Sequence, residues 1–138
     1  DDNAALTSLD LSSLITVGGD FYVGRAPLTS LNVSMLTSVG GRSGLNVYGT
    51  ALTSLSLPAL TSLVGLSVSS NVVLTSLSLG MLTSVNSNFD VRDNAALPTC
   101  QAQDVRDQLI SFTGMSTIMG NLRAIASKSR MIEAYDLE

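Results

Sequence analysis

The tetrapeptide LTSL, or its variant LTSV, occurs seven times in this 138-residue chain and limits what the chain can fold into. Repeat units in this phase begin at Leu6, Leu28, Leu52, Leu74 and Leu97. Their spacings of 22, 24, 22 and 23 residues are typical of solenoid repeats. Because one unit cannot bury its own apolar face, the sequence predicts a stack of coils.

The leucine spacing within a unit indicates strands. One copy consists of Leu74, Leu77, Leu79, Leu82 and Val85. In a helix, Leu77 and Leu79 would point to nearly opposite faces, whereas a strand places them on the same face. The second half of each unit brings a turn, often glycine-rich, and then another apolar alternation, such as Phe89 and Val91. We therefore predict two short strands and two corners in each coil.

The segments LTSLSLPALTSLVGLSVSSN and LTSLDLSSLITVGGDFYVG resemble the receptor L-domain repeat, which is related to leucine-rich repeats. Such repeats occur in growth-factor receptor ectodomains, yeast cell-wall proteins and many bacterial surface proteins. The usual leucine-rich-repeat asparagine is replaced by Leu14, Leu36, Leu60 and Leu82, which favours the L-domain interpretation. The resemblance covers residues 1–121. It implies an all-β, right-handed parallel β-solenoid with a binding role, located extracellularly or at the cell surface.

The end of the chain departs from the repeat. Pro98 and Thr99 are followed by Ala102, Val105, Leu109 and Ile110 at helical spacing. We predict that a helix near 99–110 caps the open end of a solenoid domain spanning 1–121. Residues 122–138 are predicted to form a helical tail, partly of cloning origin. Because Asp1 falls inside a repeat, we interpret the chain as a fragment of a bacterial surface protein, with any signal or anchor segment outside it.

Charge and residue types argue against several functions. A net charge of −4 and a pI near 4.5 do not favour nucleic acid, and no apolar run is long enough to insert into a membrane. The chain has no histidine and no glycine-rich phosphate loop, so we predict neither enzymatic activity nor a cofactor or metal. Cys100 aligns with the inward leucines, which predicts a buried thiol.

Two ladders of threonine are also predicted, and a flat threonine array is what ice-binding solenoids present. Their members are Thr7, Thr29, Thr53 and Thr75 in one ladder, and Thr37, Thr61 and Thr83 in the other. The alternative interpretation is that these hydroxyls satisfy backbone groups at the corners. Ice binding is therefore an alternative to recognition of a partner.

The second strand of each coil carries the most varied outward residues, which favours a binding face for a protein or glycan. The candidate partner-binding residues are Tyr22, Arg25, Arg42, Asn46, Tyr48, Asp90 and Arg92. The tyrosine rings should project outward near Arg25 and Arg92, and such residue types are enriched in binding hot spots. An open N-terminal coil also predicts end-to-end self-association.

Overall fold

The computed structural model describes residues 3–123, which form a parallel β-solenoid interrupted by one helix. The elements are β1 (Ser8–Asp10), β2 (Thr16–Val17), β3 (Phe21–Gly24), β4 (Ser30–Asn32), β5 (Ser38–Val39), β6 (Leu45–Tyr48), β7 (Ser54–Ser56), β8 (Ser62–Leu63), β9 (Leu66–Ser69), β10 (Ser76–Ser78), β11 (Ser84–Val85), β12 (Phe89–Arg92), α1 (Thr99–Asp107), β13 (Ser111–Phe112) and β14 (Ser116–Met119). The predicted helical tail at 122–138 lies almost wholly outside the described residues.

Each full coil contains three strands, so the prediction of two was wrong. Strands β2, β5, β8, β11 and β13 form one five-stranded sheet, and β3, β6, β9, β12 and β14 form another. The remaining strands pair as β1 with β4 and β7 with β10, so this ladder is interrupted between β4 and β7. The strands of the first sheet are only two residues long, too short to show an alternation in the sequence.

Parallel pairing places equivalent residues of successive coils beside one another. Val47 pairs with Val68, Val68 with Val91, and Leu55 with Leu77. These side chains all belong to one continuous buried core. The two-residue period of a strand directs alternate side chains outward, which is why the core consists of repeated leucine and valine.

A residue with positive φ directly follows each strand of the second five-stranded sheet. It turns the chain so that the side chain of the next residue points into the core. The residues are Arg25 (φ 50°), Gly49 (61°), Ser70 (56°), Asp93 (58°) and Gly120 (68°). Each is followed directly by a buried residue, in order Ala26, Thr50, Asn71, Asn94 and Asn121. The turn breaks the in-out alternation. Strict alternation along β9 would point the Asn71 side chain outward. Because of the turn at Ser70, this side chain is buried instead.

These inward polar residues form a hydrogen-bonded ladder. Asn94 Oδ1 accepts from Asn71 N at 3.0 Å and from Asn71 Nδ2 at 3.1 Å. Asn94 Nδ2 donates to Val68 O at 2.9 Å and to Asn121 Oδ1 at 3.0 Å. Thr50 continues the ladder, since its N and Oγ1 both donate to Asn71 Oδ1. The side-chain amides of Asn71, Asn94 and Asn121 thus link each coil to its neighbours.

Helix α1 lies beside β10, where a fifth strand would otherwise follow β1, β4, β7 and β10. Its side chains form hydrogen bonds with backbone groups that such a strand would have paired. Gln101 Oε1 accepts from Leu77 N at 2.8 Å, while Gln101 Nε2 donates to Thr75 O at 3.1 Å. Gln108 Nε2 donates to Leu82 O at 2.9 Å. The helix therefore covers the free edge of β10, but the chain continues past it into β13 and β14. It caps one ladder and not the whole end of the stack.

Cys100 lies in α1, so the prediction that it aligns with the inward strand leucines was wrong. Its side chain is only partly buried, and the neighbouring residue Gln101 is the one that meets Leu77. The helical geometry of this segment removes the two-residue period on which the alignment relied. No helix among residues 3–123 has the length and apolar character needed to cross a membrane.

Candidate functional site: the variable face

The outward side chains of the sheet formed by β3, β6, β9, β12 and β14 stand in two rows, which we call the variable face. Strand register gives the first row as Tyr22, Asn46, Ser67, Asp90 and Thr117. It gives the second row as Gly24, Tyr48, Ser69, Arg92 and Met119. The outward positions of β7 and β10, by contrast, are all serine. One side of the solenoid is therefore chemically varied and another is uniform.

The aromatic part of the variable face lies on its first two strands. Tyr22 is 48% exposed, whereas Tyr48 is partly buried and its ring lies over Gly24. A Cβ atom at Gly24 would collide with that ring, so a larger residue there would displace the Tyr48 side chain. The Arg25 guanidinium lies 6.0 Å from the centre of the Tyr48 ring. Arg92, which was predicted to join them, stands two strands away from Tyr48 and pairs elsewhere.

Asp20 fixes the corner that carries Arg42. Its Oδ1 atom accepts from Ser43 N at 2.7 Å and from Gly44 N at 3.0 Å. These backbone hydrogen bonds hold the pKa of Asp20 below its ordinary value, and the Arg42 guanidinium acts in the same direction. Gly44 has φ of 76°, a conformation that side chains rarely adopt. Arg42 therefore projects from an ordered turn beside β6.

The polar part of the variable face surrounds a depression of about 280 Å³. Its polar lining includes Arg42, Ser43, Asn46, Ser67, Asn88 and Asp90. Ser67 lies on β9 between Asn46 and Asp90, so its small side chain forms the floor between two larger ones. We call this feature the polar depression.

Two buried polar atoms in the polar depression have no hydrogen-bond partner. They are Asn46 Nδ2, a donor, and Asp90 Oδ1, an acceptor, and no other such side-chain atom occurs within residues 3–123. A buried polar group left unpaired destabilises a protein by about 1 to 3 kcal/mol, so most buried groups are paired. Among the described residues, the buried side-chain atoms without a partner are thus confined to one place on the surface.

Arg92 holds the Asp90 carboxylate in place. Its Nε atom lies 3.2 Å from Asp90 Oδ2, which leaves Oδ1 as the atom without a partner. Burial raises the pKa of Asp90 above its ordinary value, Arg92 partly opposes the shift, and the nearby Asp93 adds to it. The site therefore contains an acceptor that is fixed in orientation and shielded from solvent.

The threonine ladders are hydrogen-bonded within the stack. Five of the seven ladder hydroxyls donate to a backbone oxygen of the preceding coil: Thr29 to Thr7, Thr37 to Ile15, Thr61 to Thr37, Thr75 to Thr53, and Thr83 to Thr61. These donors join the coils at their corners, as expected for hydroxyls that satisfy backbone groups. The hydroxyl hydrogens of these five threonines are therefore used within the stack.

An apolar recess of about 220 Å³ lies at the N-terminal coil. Its lining includes Leu6, Leu9, Leu11, Phe21, Val23 and Leu28. Within the described residues, β1, β2 and β3 are each the last strand of their ladder on this side. At the opposite end, β14 is the last strand of the second five-stranded sheet, and its Met119 is 59% exposed.

The structure brings all seven candidate residues to the variable face or its borders. Tyr22, Asn46 and Asp90 share the first row, and Tyr48 and Arg92 share the second. Arg25 follows β3 directly, and Arg42 lies in the corner before β6.

Four polar residues of the polar depression were missing from the candidates: Ser43, Ser67, Ser87 and Asn88. Serine is so common in this chain that only the strand register shows which serine separates two larger side chains. Within the described part of the chain, no three His, Cys, Asp or Glu side chains lie close enough to hold a metal ion.

The comparisons with known proteins provide no relative. No protein-family model matches the chain, and neither curated proteins nor solved structures gave a match. The β-solenoid fold therefore rests on the strand pairing described above.

Proposed function

We propose that this protein is a non-enzymatic recognition module that binds a protein or glycan partner through its variable face. The observation that carries the proposal is that, among the described residues, the buried side-chain polar atoms without partners lie on this face, while the outward positions of β7 and β10 are all serine. We further propose that the module is of the receptor L-domain type and works outside the cell or at a bacterial cell surface. The repeat resemblance supports this setting.

The bonded threonines support recognition of a partner over the ice-binding alternative. An ice-binding array needs hydroxyls that face water in regular rows, whereas the ladder hydroxyls here donate to backbone oxygens. The variable face instead combines Tyr22, Tyr48 and Arg25. These are the residue types that most often dominate binding energy in interfaces.

Replacing Tyr22 with serine is expected to weaken partner binding at least about tenfold, which corresponds to ~1.4 kcal/mol. Tyr22 is half exposed and lies in an outward row, so the melting temperature should change little. Adding Tyr48→Ser should abolish binding and reduce stability somewhat, because the Tyr48 ring covers Gly24. The measurement is binding of the labelled chain to protein and glycan arrays, followed by titration of any partner found.

Met35→Ser is the matched control, since Met35 is a large exposed apolar residue outside the variable face. It should leave partner binding unchanged. If the array partners bind the double tyrosine variant as well as the parent chain, the variable face is not the binding surface.

We also propose that the chain associates end to end, with the recess beside β1 and β3 meeting the β14 end of a second copy. Both ends present strand edges and apolar surface, and head-to-tail contacts of this kind lead to open filaments. Light scattering should show an average mass that rises with concentration. Met119→Lys should lower that mass, whereas Met81→Lys, an exposed methionine in a corner, should not. A strict monomer at high concentration would contradict the proposal.

A further inference from the structure

We infer that the polar depression is a carbohydrate site, in which neighbouring hydroxyls of one sugar ring pair with Asn46 Nδ2 and Asp90 Oδ1. This inference rests on the proposed recognition function and names the class of its ligand. It starts from the two buried polar atoms without partners, which lie on either side of Ser67.

The two unpaired atoms have opposite requirements. Asn46 Nδ2 is a donor that needs an acceptor, and Asp90 Oδ1 is an acceptor that needs a donor. A hydroxyl both donates and accepts, so a ring with adjacent hydroxyls can satisfy both atoms at once. The serine side chains at the floor and rim are further groups that can donate to or accept from such a ring.

Charged ligands match only one of the two atoms. An ammonium group of a lysine could pair with Asp90, but it has no acceptor for Asn46 Nδ2. A phosphate or carboxylate could accept from Asn46 and from Arg42, but it would place negative charge against the partly buried carboxylate of Asp90. A neutral sugar avoids both conflicts.

The dimensions of the polar depression suit a single ring. Asn46 and Asp90 lie on β6 and β12, which are separated by β9. Adjacent strands are about 4.8 Å apart, so the two backbones are separated by about 10 Å with only Ser67 between them. The volume of about 280 Å³ is near the lower end for small-molecule sites, which run from roughly 300 Å³ upward.

Tyr22 extends the site along the same row. It is the next residue after Asn46, on the side away from Ser67, and its ring is exposed. An aromatic ring offers an apolar face with a polar tip and suits the C–H face of a second sugar. The row Tyr22, Asn46, Ser67 and Asp90 is therefore long enough for an oligosaccharide, with the polar depression holding one unit.

The experiment is an NMR titration of the isotope-labelled 138-residue chain with the methyl glycosides of glucose, galactose, mannose and N-acetylglucosamine. At least one glycoside is expected to shift the amides of Asn46, Ser67 and Asp90, including the Asn46 side-chain amide. The dissociation constant should be on the order of 1 mM, as for a ligand making few contacts. Shifts confined to other surfaces, or no shift with any glycoside at ~50 mM, would overturn the inference.

Three variants test the contacts. Asn46→Ala and Asp90→Asn should each raise the dissociation constant at least about tenfold, and Ser67→Leu should abolish binding by filling the floor. Ser56→Leu, an outward serine on β7, is the matched control and should bind as the parent chain does. If Asn46→Ala and Asp90→Asn bind the glycoside unchanged while their amide spectra show a folded chain, the assigned contacts are wrong.

Affinity should also fall with acidification, because protonated Asp90 accepts hydrogen bonds less well. Its pKa lies above the ordinary 3.8, so the loss should occur as pH falls through that raised value. The charged groups around it are Arg92, Asp93 and Arg42, while β9 and β14 face it with Ser67 and Thr117, which do not titrate. Asp90→Asn should remove this pH dependence, whereas an unchanged dependence in that variant would contradict the assignment of Asp90.

The arrays separate failure of this inference from failure of the proposed function. If no glycoside binds but a protein partner is found whose binding is lost in Tyr22→Ser, the carbohydrate inference fails and the recognition function stands. If no glycoside binds and no array partner is sensitive to Tyr22→Ser, both fail.

Discussion

Replacing Asn94 with alanine is expected to lower the free energy of unfolding by about 3 to 5 kcal/mol. Asn94 is fully buried, and its amide bonds to groups on either side of it in the stack. Alanine would leave Asn71 N inside the protein without its side-chain acceptor and would remove the amide donor to Val68 O and Asn121 Oδ1. Each such group destabilises by about 1 to 3 kcal/mol, and the linked amides add to the loss. Urea denaturation monitored by circular dichroism measures the change.

Asn46→Ala is the matched control for Asn94→Ala. It removes the same side chain from a partly buried position, but the Asn46 Nδ2 atom has no partner to lose. The free energy of unfolding should therefore change by less than about 1 kcal/mol. If the two alanine variants are equally stable, the asparagine ladder does not hold the coils together.

Asn94→Asp gives a further test through pH. The carboxylate keeps an acceptor for Asn71 N but places a second acceptor against Val68 O, and burial raises its pKa. Because the pKa of the buried aspartate is higher in the folded state than in the unfolded state, the destabilisation is fully present above the folded-state pKa. It is lost as pH falls from the folded-state pKa to the unfolded-state pKa. The aspartate variant should thus approach the parent chain in stability only in acid.

Leu55→Ala is expected to destabilise the protein by about 2 to 5 kcal/mol, the range for large-to-small changes in a packed core. Leu55 is 2% exposed, lies within the continuous core and pairs with Leu77 of the next coil. Ser56→Ala, one residue later on the outward side of β7, should change stability by less than about 0.5 kcal/mol. Chemical denaturation of both variants provides the comparison, and equal losses would mean that the strand faces are reversed.

The sequence was sufficient to predict the coils, because the leucine spacing is a direct consequence of stacking. The inward positions of Leu55 and Leu77 follow from a two-residue period, and the start of α1 follows from Pro98 and Thr99. The two-residue strands were missed, since a pair such as Ser62–Leu63 contains no alternation to detect. Their position depends on pairing with neighbouring coils, which no local pattern reveals.

The asparagine ladder was missed for a different reason. Alternation treats Asn71 as an outward polar residue, but the positive φ of Ser70 rotates the chain so that the next side chain points inward. A recurring signal was present: Asn71 and Asn94 both stand three residues before the first leucine of a repeat. Repeated position, and not polarity, was the evidence that these residues belong to the interior.

The variable face was predictable in outline and not in detail. Differences among the outward residues of β3, β6, β9 and β12 identified Tyr22, Asn46 and Asp90. Outward positions can vary because they do not have to be leucine or valine, as the core positions do. The sequence could not show that Tyr48 covers Gly24, since that contact depends on the register of β3 with β6. Nor could it show that Ser67 separates two unpaired groups, which depends on the register of three strands.

The amide of Gln101 has a consequence for how far the sheet can grow. An exposed strand edge can pair with further strands because its backbone donors and acceptors are unpaired and repeat along the strand. Beside β10, the Gln101 amide copies one peptide group, with its acceptor on Leu77 N and its donor on Thr75 O. On its outer side, a side-chain amide presents no row of backbone donors and acceptors with which another strand could pair. The ladder of β7 and β10 therefore ends at Gln101, and the edge of β10 is protected against pairing with a strand of another chain.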